Sequence, residues 1–159
     1  MSPHELAPLI DAHAGPLVLY ARQWSDSPED VVQEAFVGLL RLRREPANAA
    51  AWLYRAVRHR AIDAGRSDRR RRSREQRATP AQRWFVEPES DGLIAEEAVN
   101  ALTELPDDQR EVIVARLWGG LTFEEIAELC GSSVSTAHRR YEGGLASLRQ
   151  LMGVSCPDH

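Results

Sequence analysis

Lysine is missing from this sequence altogether: all 20 basic residues are arginine. Any contact with a polyanion therefore falls to guanidinium groups, which suit phosphate forks and base stacking better than ammonium does. Cysteine is nearly missing too. Cys130 and Cys156 are the only two, neither lies in a C-x-x-C pair, and two thiols cannot build a disulfide framework. Aromatic residues reach only 6%, which, with the abundance of Ala and Leu, favours helices over a β-sandwich. No apolar run approaches the roughly 20 residues that span a bilayer. Met1-Ser2-Pro3-His4-Glu5 lacks the basic-then-apolar start of a secretory signal. The expectation is a reduced, cytoplasmic setting without membrane contact. Clusters that carry chemistry are absent as well. His4, His13, His59, His138 and His159 are scattered without metal-ligand spacing, and there is no glycine-rich phosphate loop or nucleophile–base pair. The sequence predicts no enzyme, no metal site and no cofactor.

What is there is 159 residues, 43% hydrophobic and 28% charged, enough for one ordinary domain or two small ones. The net charge of −4 hides a strong segregation. Residues 1–40 carry −5, residues 41–77 carry +9 from 13 arginines and four acids, residues 84–128 carry −10, and residues 129–159 carry +1. A +9 block in an acidic protein points to a local polyanion site, nucleic acid first; the plainer reading is a solvated basic stretch.

Helical spacing organises most of the chain. Leu6, Leu9, Ile10, His13 and Leu17 share a face, with Gly15-Pro16 expected to kink or break that segment. Ser27 reads as an N-cap before Pro28, opening a helix over about 28–43 that buries Val32, Ala35, Phe36, Leu39 and Leu40 and ends near Glu45-Pro46. A second helix runs from about Asn48 to about Arg72. From Ala78 to Gly92 periodicity fails among Thr79-Pro80, Glu87-Pro88 and Ser90-Asp91-Gly92, which reads as a linker. Trp84-Phe85-Val86 inside it are unusual for a spacer and read as residues that dock on a partner or, more readily, pack back on a domain. Leu93, Ile94, Ala98, Val99 and Leu102 make a short helix. Pro106 starts another that stops at Gly119-Gly120. No repeat and no convincing strand occurs, so the expected class is all-α: two small helical domains, 1–77 and 93–159, joined by a flexible linker over 78–92.

Two motifs carry function. Residues 122–141 have the pattern of a helix-turn-helix: a capping box at Thr122 and Glu125, a small Ala127 for close crossing, Gly131 for the turn, and Ser132-Ser133 capping a helix to about Met152. Val134, Ala137, Tyr141, Leu145 and Leu148 are expected inward. Ser135, Arg139, Glu142 and Gly143 fall opposite, flanked by Thr136 and Arg140, a polar and basic start that suits a major groove. An ordinary helical hairpin would share this pattern. In the arginine-rich helix, Trp52, Arg55, His59, Ile62 and Arg66 share one stripe, and Leu53, Val57 and Ala64 define the buried side. An aromatic beside guanidiniums suits opened single strands. Taken singly, Trp52 reads more readily as a core residue, and the run Arg69–Arg74 as a solvated helix end.

Together these segments resemble the extracytoplasmic-function sigma factors of bacterial RNA polymerase. Asp26-Ser27-Pro28-Glu29-Asp30-Val31-Val32-Gln33-Glu34-Ala35-Phe36 looks like the family's D-x-E-D-L-x-Q-E-x-F helix. Ala51 to Asp63, containing Trp52-Leu53-Tyr54 and Ala61-Ile62-Asp63, is similar to its W-L-Y-x-I-A-x-N-x-A-x-D promoter-melting helix. Leu105-Pro106-Asp107-Asp108-Gln109-Arg110-Glu111-Val112 and the helix-turn-helix match its C-terminal domain.

The resemblance implies that the N-terminal domain binds the clamp helices of the polymerase's largest subunit, with Asp30, Gln33, Glu34 and Val37 outward and Val32, Phe36 and Leu40 buried. It implies that Trp52, Arg55, Arg58, His59, Ile62 and Arg66 engage the opened minus-ten strand. Ser135, Thr136, Arg139 and Arg140 would bind the minus-35 duplex, Arg139 at a base edge and Arg140 at phosphate, with His138 packing. The linker would run towards the polymerase's active-site channel. The implied partners are core RNA polymerase and promoter DNA, with an anti-sigma factor left open. The sequence departs from the family at several points. His59 stands for the usual Asn, Arg60 for a commonly apolar residue, Ser132 and Ala137 for larger aliphatics, and Gly143-Gly144 for a basic pair. The glycine pair predicts a kink or early end to the recognition helix. Two other classes stay open: a helix-turn-helix regulator acting on duplex DNA without polymerase, which has no need of the Asp30–Phe36 motif, and an adaptor using the acidic helices.

Overall fold

The computed structural model describes the backbone of residues 1–75 and 96–153, and the side chains of 1–71 and 96–153. The expected linker at 78–92, with Trp84-Phe85-Val86, and Leu93, Ile94 and Cys156 lie outside the described residues. Every regular element among the described residues is helical, and the chain divides into two compact units.

Among the described residues the first unit holds three helices, α1 (Pro3–Ala21), α2 (Pro28–Leu40) and α3 (Ala49–Glu75). Ser2 and Glu5 close a capping box on α1, each side chain bonded to the other's backbone N–H. The break expected at Gly15-Pro16 does not occur: α1 runs through both Pro8 and Pro16. The missing N–H of Pro16 costs one hydrogen-bond rung, but Leu17, Val18, Leu19, Tyr20 and Ala21 just beyond it are all buried. Packing on every side of that last turn overrides the local preference. Tyr20 lies at the centre, its ring 5.0 Å from Tyr54 and 5.1 Å from Trp24. Burial pushes the Tyr54 hydroxyl far above the usual tyrosine range.

Pro28 opens α2 as expected, but the Ser27 hydroxyl makes no cap bond to the helix. The turn before it is fixed by Ser25 Oγ, which accepts from the Ser27 N–H at 3.0 Å, and by Asp68 Oδ2 of α3, which accepts from the Asp26 N–H at 3.1 Å. The helix stops at Leu40 rather than at 43. Val31, Val32, Ala35, Phe36 and Leu39 are buried, while Leu40, expected in the core, is 37% exposed. It is the last residue of the helix, where the apolar stripe runs off the packed surface. On α3 the core side is Leu53, Tyr54, Val57 and Ala61. Ala64, expected there, is half-buried, and the neighbouring Gly65 is buried instead. A Cβ on Gly65 would collide with the Trp24 carbonyl, so this contact requires glycine.

The second unit comprises α4 (Glu96–Thr103), α5 (Asp107–Ile113), a π-helical segment (Val114–Trp118), α6 (Phe123–Cys130) and α7 (Val134–Leu151). Its core gathers Leu102, Val112, Ile113, Val114, Ala115, Ile126 and Ala137, all fully buried. Arg110 ties α5 to the end of α4. Its guanidinium donates to the carbonyls of Leu102 at 2.7 Å, Leu105 at 2.7 Å and Thr103 at 2.9 Å, satisfying acceptors that a helix end leaves open.

Candidate functional site

The helix-turn-helix forms as its sequence predicts. Thr122 N–H donates to Glu125 Oε1 at 2.9 Å, and Glu125 N–H donates to Thr122 Oγ1 at 3.1 Å. Gly131 closes α6 in the left-handed region, φ 67°, a conformation glycine adopts without steric cost. Ser133 Oγ then caps α7, accepting from the Thr136 N–H at 3.1 Å. Ala137 is fully buried, but Val134, expected beside it, is 43% exposed. It is the first residue of α7, one turn before Ala137, and lies outside the packed part of the hairpin.

The glycine pair has a role opposite to the one its helix propensity suggests. The recognition helix continues past it to Leu151. A Cβ on Gly144 would stand 2.9 Å from Ile113 Cγ1, and one on Gly143 would stand 3.1 Å from Gln109 Nε2. The pair lets α7 approach α5 closely. Gly143, expected outward, is therefore half-buried.

Ser135 and Arg139 are exposed on the first turns of α7. Thr136 is half-buried and engaged: its hydroxyl accepts from Ser133 Oγ at 2.8 Å and lies 3.4 Å from Arg139 Nη2. Arg140 is turned back towards α5, with Nε 3.4 Å from Asp108 Oδ2. His138 packs on the Phe123 ring at 4.7 Å and lies 3.5 Å from the Glu142 carboxylate, its side chain still 52% exposed. Phe123 also contacts Tyr141 at 5.4 Å and lies under the Arg116 guanidinium at 4.6 Å, which itself donates to the Leu121 carbonyl at 2.9 Å. Phe123 joins α6 to α7 through these ring contacts. Its sequence signal was no more than an aromatic just inside the capping box.

In the first unit, Asp30, Gln33, Glu34 and Val37 all lie on the exposed face of α2. They line one groove of about 550 Å³ with Gly38, Arg41 and, from α3, Arg60. Gly38 is where α3 side chains cross α2: a Cβ there would stand 3.1 Å from Arg60 Nη2 and 3.4 Å from Trp52 Cη2. Trp52 is thus half-buried rather than a full core residue, as is Ile62, while Arg55, His59 and Arg66 are exposed on the same stripe. His59 Nε2 lies 3.5 Å from Asp63 Oδ2. Arg58 is set apart from the stripe, half-buried with its guanidinium 5.6 Å from the centre of the Trp24 ring.

Beyond the stripe, Arg69 and Arg70 donate back to the carbonyls of Gly65 and Arg66. Arg71 pairs with the nearly buried Asp68 at 2.7 Å. Part of the arginine run is therefore engaged within its own helix; the side chains of Arg72 and Arg74 lie outside the described residues. Among the described residues no His, Cys, Asp and Glu side chains group as a metal site, and no helix is long and apolar enough to cross a membrane.

The Sigma-70 region 2 family matches residues 9–71, and the Sigma-70 region 4 family matches residues 95–148. The RNA polymerase sigma factor CarQ of Myxococcus xanthus is 35% identical over 131 residues, covering 79% of this chain and 74% of CarQ. The ECF RNA polymerase sigma factor SigK of Mycobacterium tuberculosis is 31% identical over 140 residues, covering 80% of this chain and 73% of SigK. Among solved structures, the sigma factor RpoE of Bartonella quintana, in complex with the anti-sigma factor NepR, has a TM-score of 0.68 over 98% of this chain and 100% of that chain. At 23% identity that likeness concerns the fold. With a region 2 unit followed by a region 4 helix-turn-helix, and relatives matched across most of their length, the chain belongs to the extracytoplasmic-function sigma factors of bacterial RNA polymerase.

Proposed function

We propose that this sigma factor docks on core polymerase through the outward face of α2, engages the opened minus-ten strand with the exposed stripe of α3, and reads the minus-35 duplex with the first turns of α7. The observation that carries the reading is the division of α2. Val31, Val32, Ala35 and Phe36 fill the core, while Asp30, Gln33, Glu34 and Val37 converge on one groove. None of these four side chains has a hydrogen bond or ion pair among the described residues. A regulator acting on duplex DNA alone has no use for such an acidic face beside an intact helix-turn-helix. The same reading takes the domains as 1–77 and 93–159 around a linker at 78–92, and the protein as a cytoplasmic factor without catalytic activity of its own.

Two refinements follow from the geometry. Arg55 and Arg66, exposed on the stripe, are better placed for the strand's phosphates than Arg58, which lies over Trp24. On α7, Ser135 and Arg139 carry the reading face, with Arg140 and Thr136 in support. An anti-sigma factor is the regulator this reading adds: RpoE and CnrH, which share the fold, were solved with NepR and with the cytosolic domain of CnrY respectively.

The test is a core-polymerase pull-down with the double variant Asp30→Arg/Glu34→Arg. Binding should be abolished with helicity unchanged, since both positions are exposed and interface charges set encounter and register. Wild-type binding by the double variant would remove the docking assignment.

A further inference from the structure

The groove on α2 has two ends of opposite charge. Asp30 and Glu34 stand at its start; Arg41, the residue that closes α2, and Arg60, reaching over Gly38 from α3, stand at its finish. Val37 lies between them and is 39% exposed. Neither Arg41 nor Arg60 is in an ion pair among the described residues, so the groove offers two guanidiniums that a carboxylate could reach. Asp30 and Arg41 are eleven residues apart, about 16 Å along a helix rising about 1.5 Å per residue.

We propose that Arg60 and Arg41 form a second, cationic half of the polymerase-docking site, which receives a carboxylate of the same polymerase helix that Asp30 and Glu34 hold through a cation. The inference rests on the docking reading above and specifies the partner's chemistry. A helix laid in this groove presents Arg or Lys at one end, an apolar side chain against Val37, and Asp or Glu about three turns further along. A mixed groove fixes register and direction, because a helix that is basic along its whole length meets Arg41 and Arg60 with like charge. Guanidinium suits the role, since it can fork onto a carboxylate. Gly38 is what admits it, because a longer side chain there would occupy the path of Arg60.

The experiment measures equilibrium binding of the full-length chain to core polymerase without DNA, which sets aside any effect on the minus-ten strand. Arg60→Glu should weaken binding about tenfold or more. Arg60→Leu, which keeps an apolar stem over Gly38, should weaken it several-fold and lessen its dependence on salt, and Arg60→Lys should stay within a few-fold of wild type. Arg60→Glu binding within twofold of wild type, with Asp30→Arg/Glu34→Arg abolishing binding, overturns the cationic half and leaves the docking reading standing. Wild-type binding by the double variant overturns the docking reading itself. Arg41 is exposed at the end of α2, so Arg41→Gln decides the matter if Arg60→Glu loses helicity: several-fold weaker binding supports the proposal, and unchanged binding overturns it.

Discussion

Gly15, Gly65 and Gly144 all sit inside helices and differ in what surrounds the missing Cβ. Nothing lies within 4 Å at Gly15, the Trp24 carbonyl blocks Gly65, and Ile113 closes on Gly144. Gly15→Ala should therefore stabilise the protein by about 0.4–1 kcal/mol. Gly65→Ala should cost about 1–3 kcal/mol through overpacking against backbone. Gly144→Ala should cost about 1 kcal/mol, its gain in helix propensity only partly offsetting the clash. Denaturant midpoints of the three variants check the order. The glycine pair at 143–144 was legible in the sequence only as a weakness, because propensity belongs to one helix and close approach belongs to two. Asp68 and Arg110 were illegible for the same reason: each reads as a surface charge and is in fact spent on backbone of another element. His13 on α1 is half-buried with Nδ1 unbonded among the described residues, and desolvation lowers its pKa from the usual value. The unfolded chain then takes up this proton first, near pH ~6.5. Stability should fall as pH drops from there towards the lower folded value, and His13→Leu should flatten that part of the pH profile.

The helices themselves were the most legible level, since 3.6-residue spacing is written locally, whereas the ends of α1 and α2 were read less well. The helix-turn-helix formed with the capping box and the Gly131 turn that were read, but with Val134 exposed and Gly143 half-buried. Two elements were not legible. The π segment at 114–118 differs from an α-helix too little over five residues to leave a distinct apolar period. The continuity of α1 through Pro16 depends on burial that tertiary contacts supply. On α7 the geometry separates two neighbours: Arg139 is exposed, and Arg140 is half-buried beside Asp108. Arg139→Ala should relax base preference at one minus-35 position by about 1–3 kcal/mol. Arg140→Ala should weaken all sequences alike. Transcription from a randomised minus-35 library distinguishes them, and unchanged preference in the Arg139 variant would remove it as a reader.

The charge blocks of the sequence reappear within each unit: in the first, the acidic residues of α2 meet arginines in one groove beside the basic stripe of α3, and in the second, α7 carries mixed charge. The order of motifs along the chain is enough to mark the family and the two units. That Asp30, Gln33, Glu34 and Val37 share one exposed face was also legible, because they lie on one helix. Arg60 in the same groove was not, because it arrives from another. With every basic residue an arginine, the basic charge is constant over the working pH range, and salt becomes the clean probe of DNA contact. Open-complex formation should weaken with rising salt. Arg55→Ala and Arg66→Ala should each reduce the slope of log affinity against log salt by about one, and Arg58→Ala should change it less. Equal slopes in all three variants would detach the stripe from the strand.

The position of Phe123 bears on the fidelity of promoter reading. Held by Arg116, His138 and Tyr141, its ring acts as an index pin for the rotation of α7 about its own axis. A helix with its side chains has a radius of about 5–6 Å, so slippage of about 30° swings an outward group through about 3 Å. A hydrogen bond to a base edge survives displacements of only about 0.3 Å. Under the proposed minus-35 reading, the angular precision with which Arg139 is aimed is therefore set in part by an aromatic residue on the preceding helix.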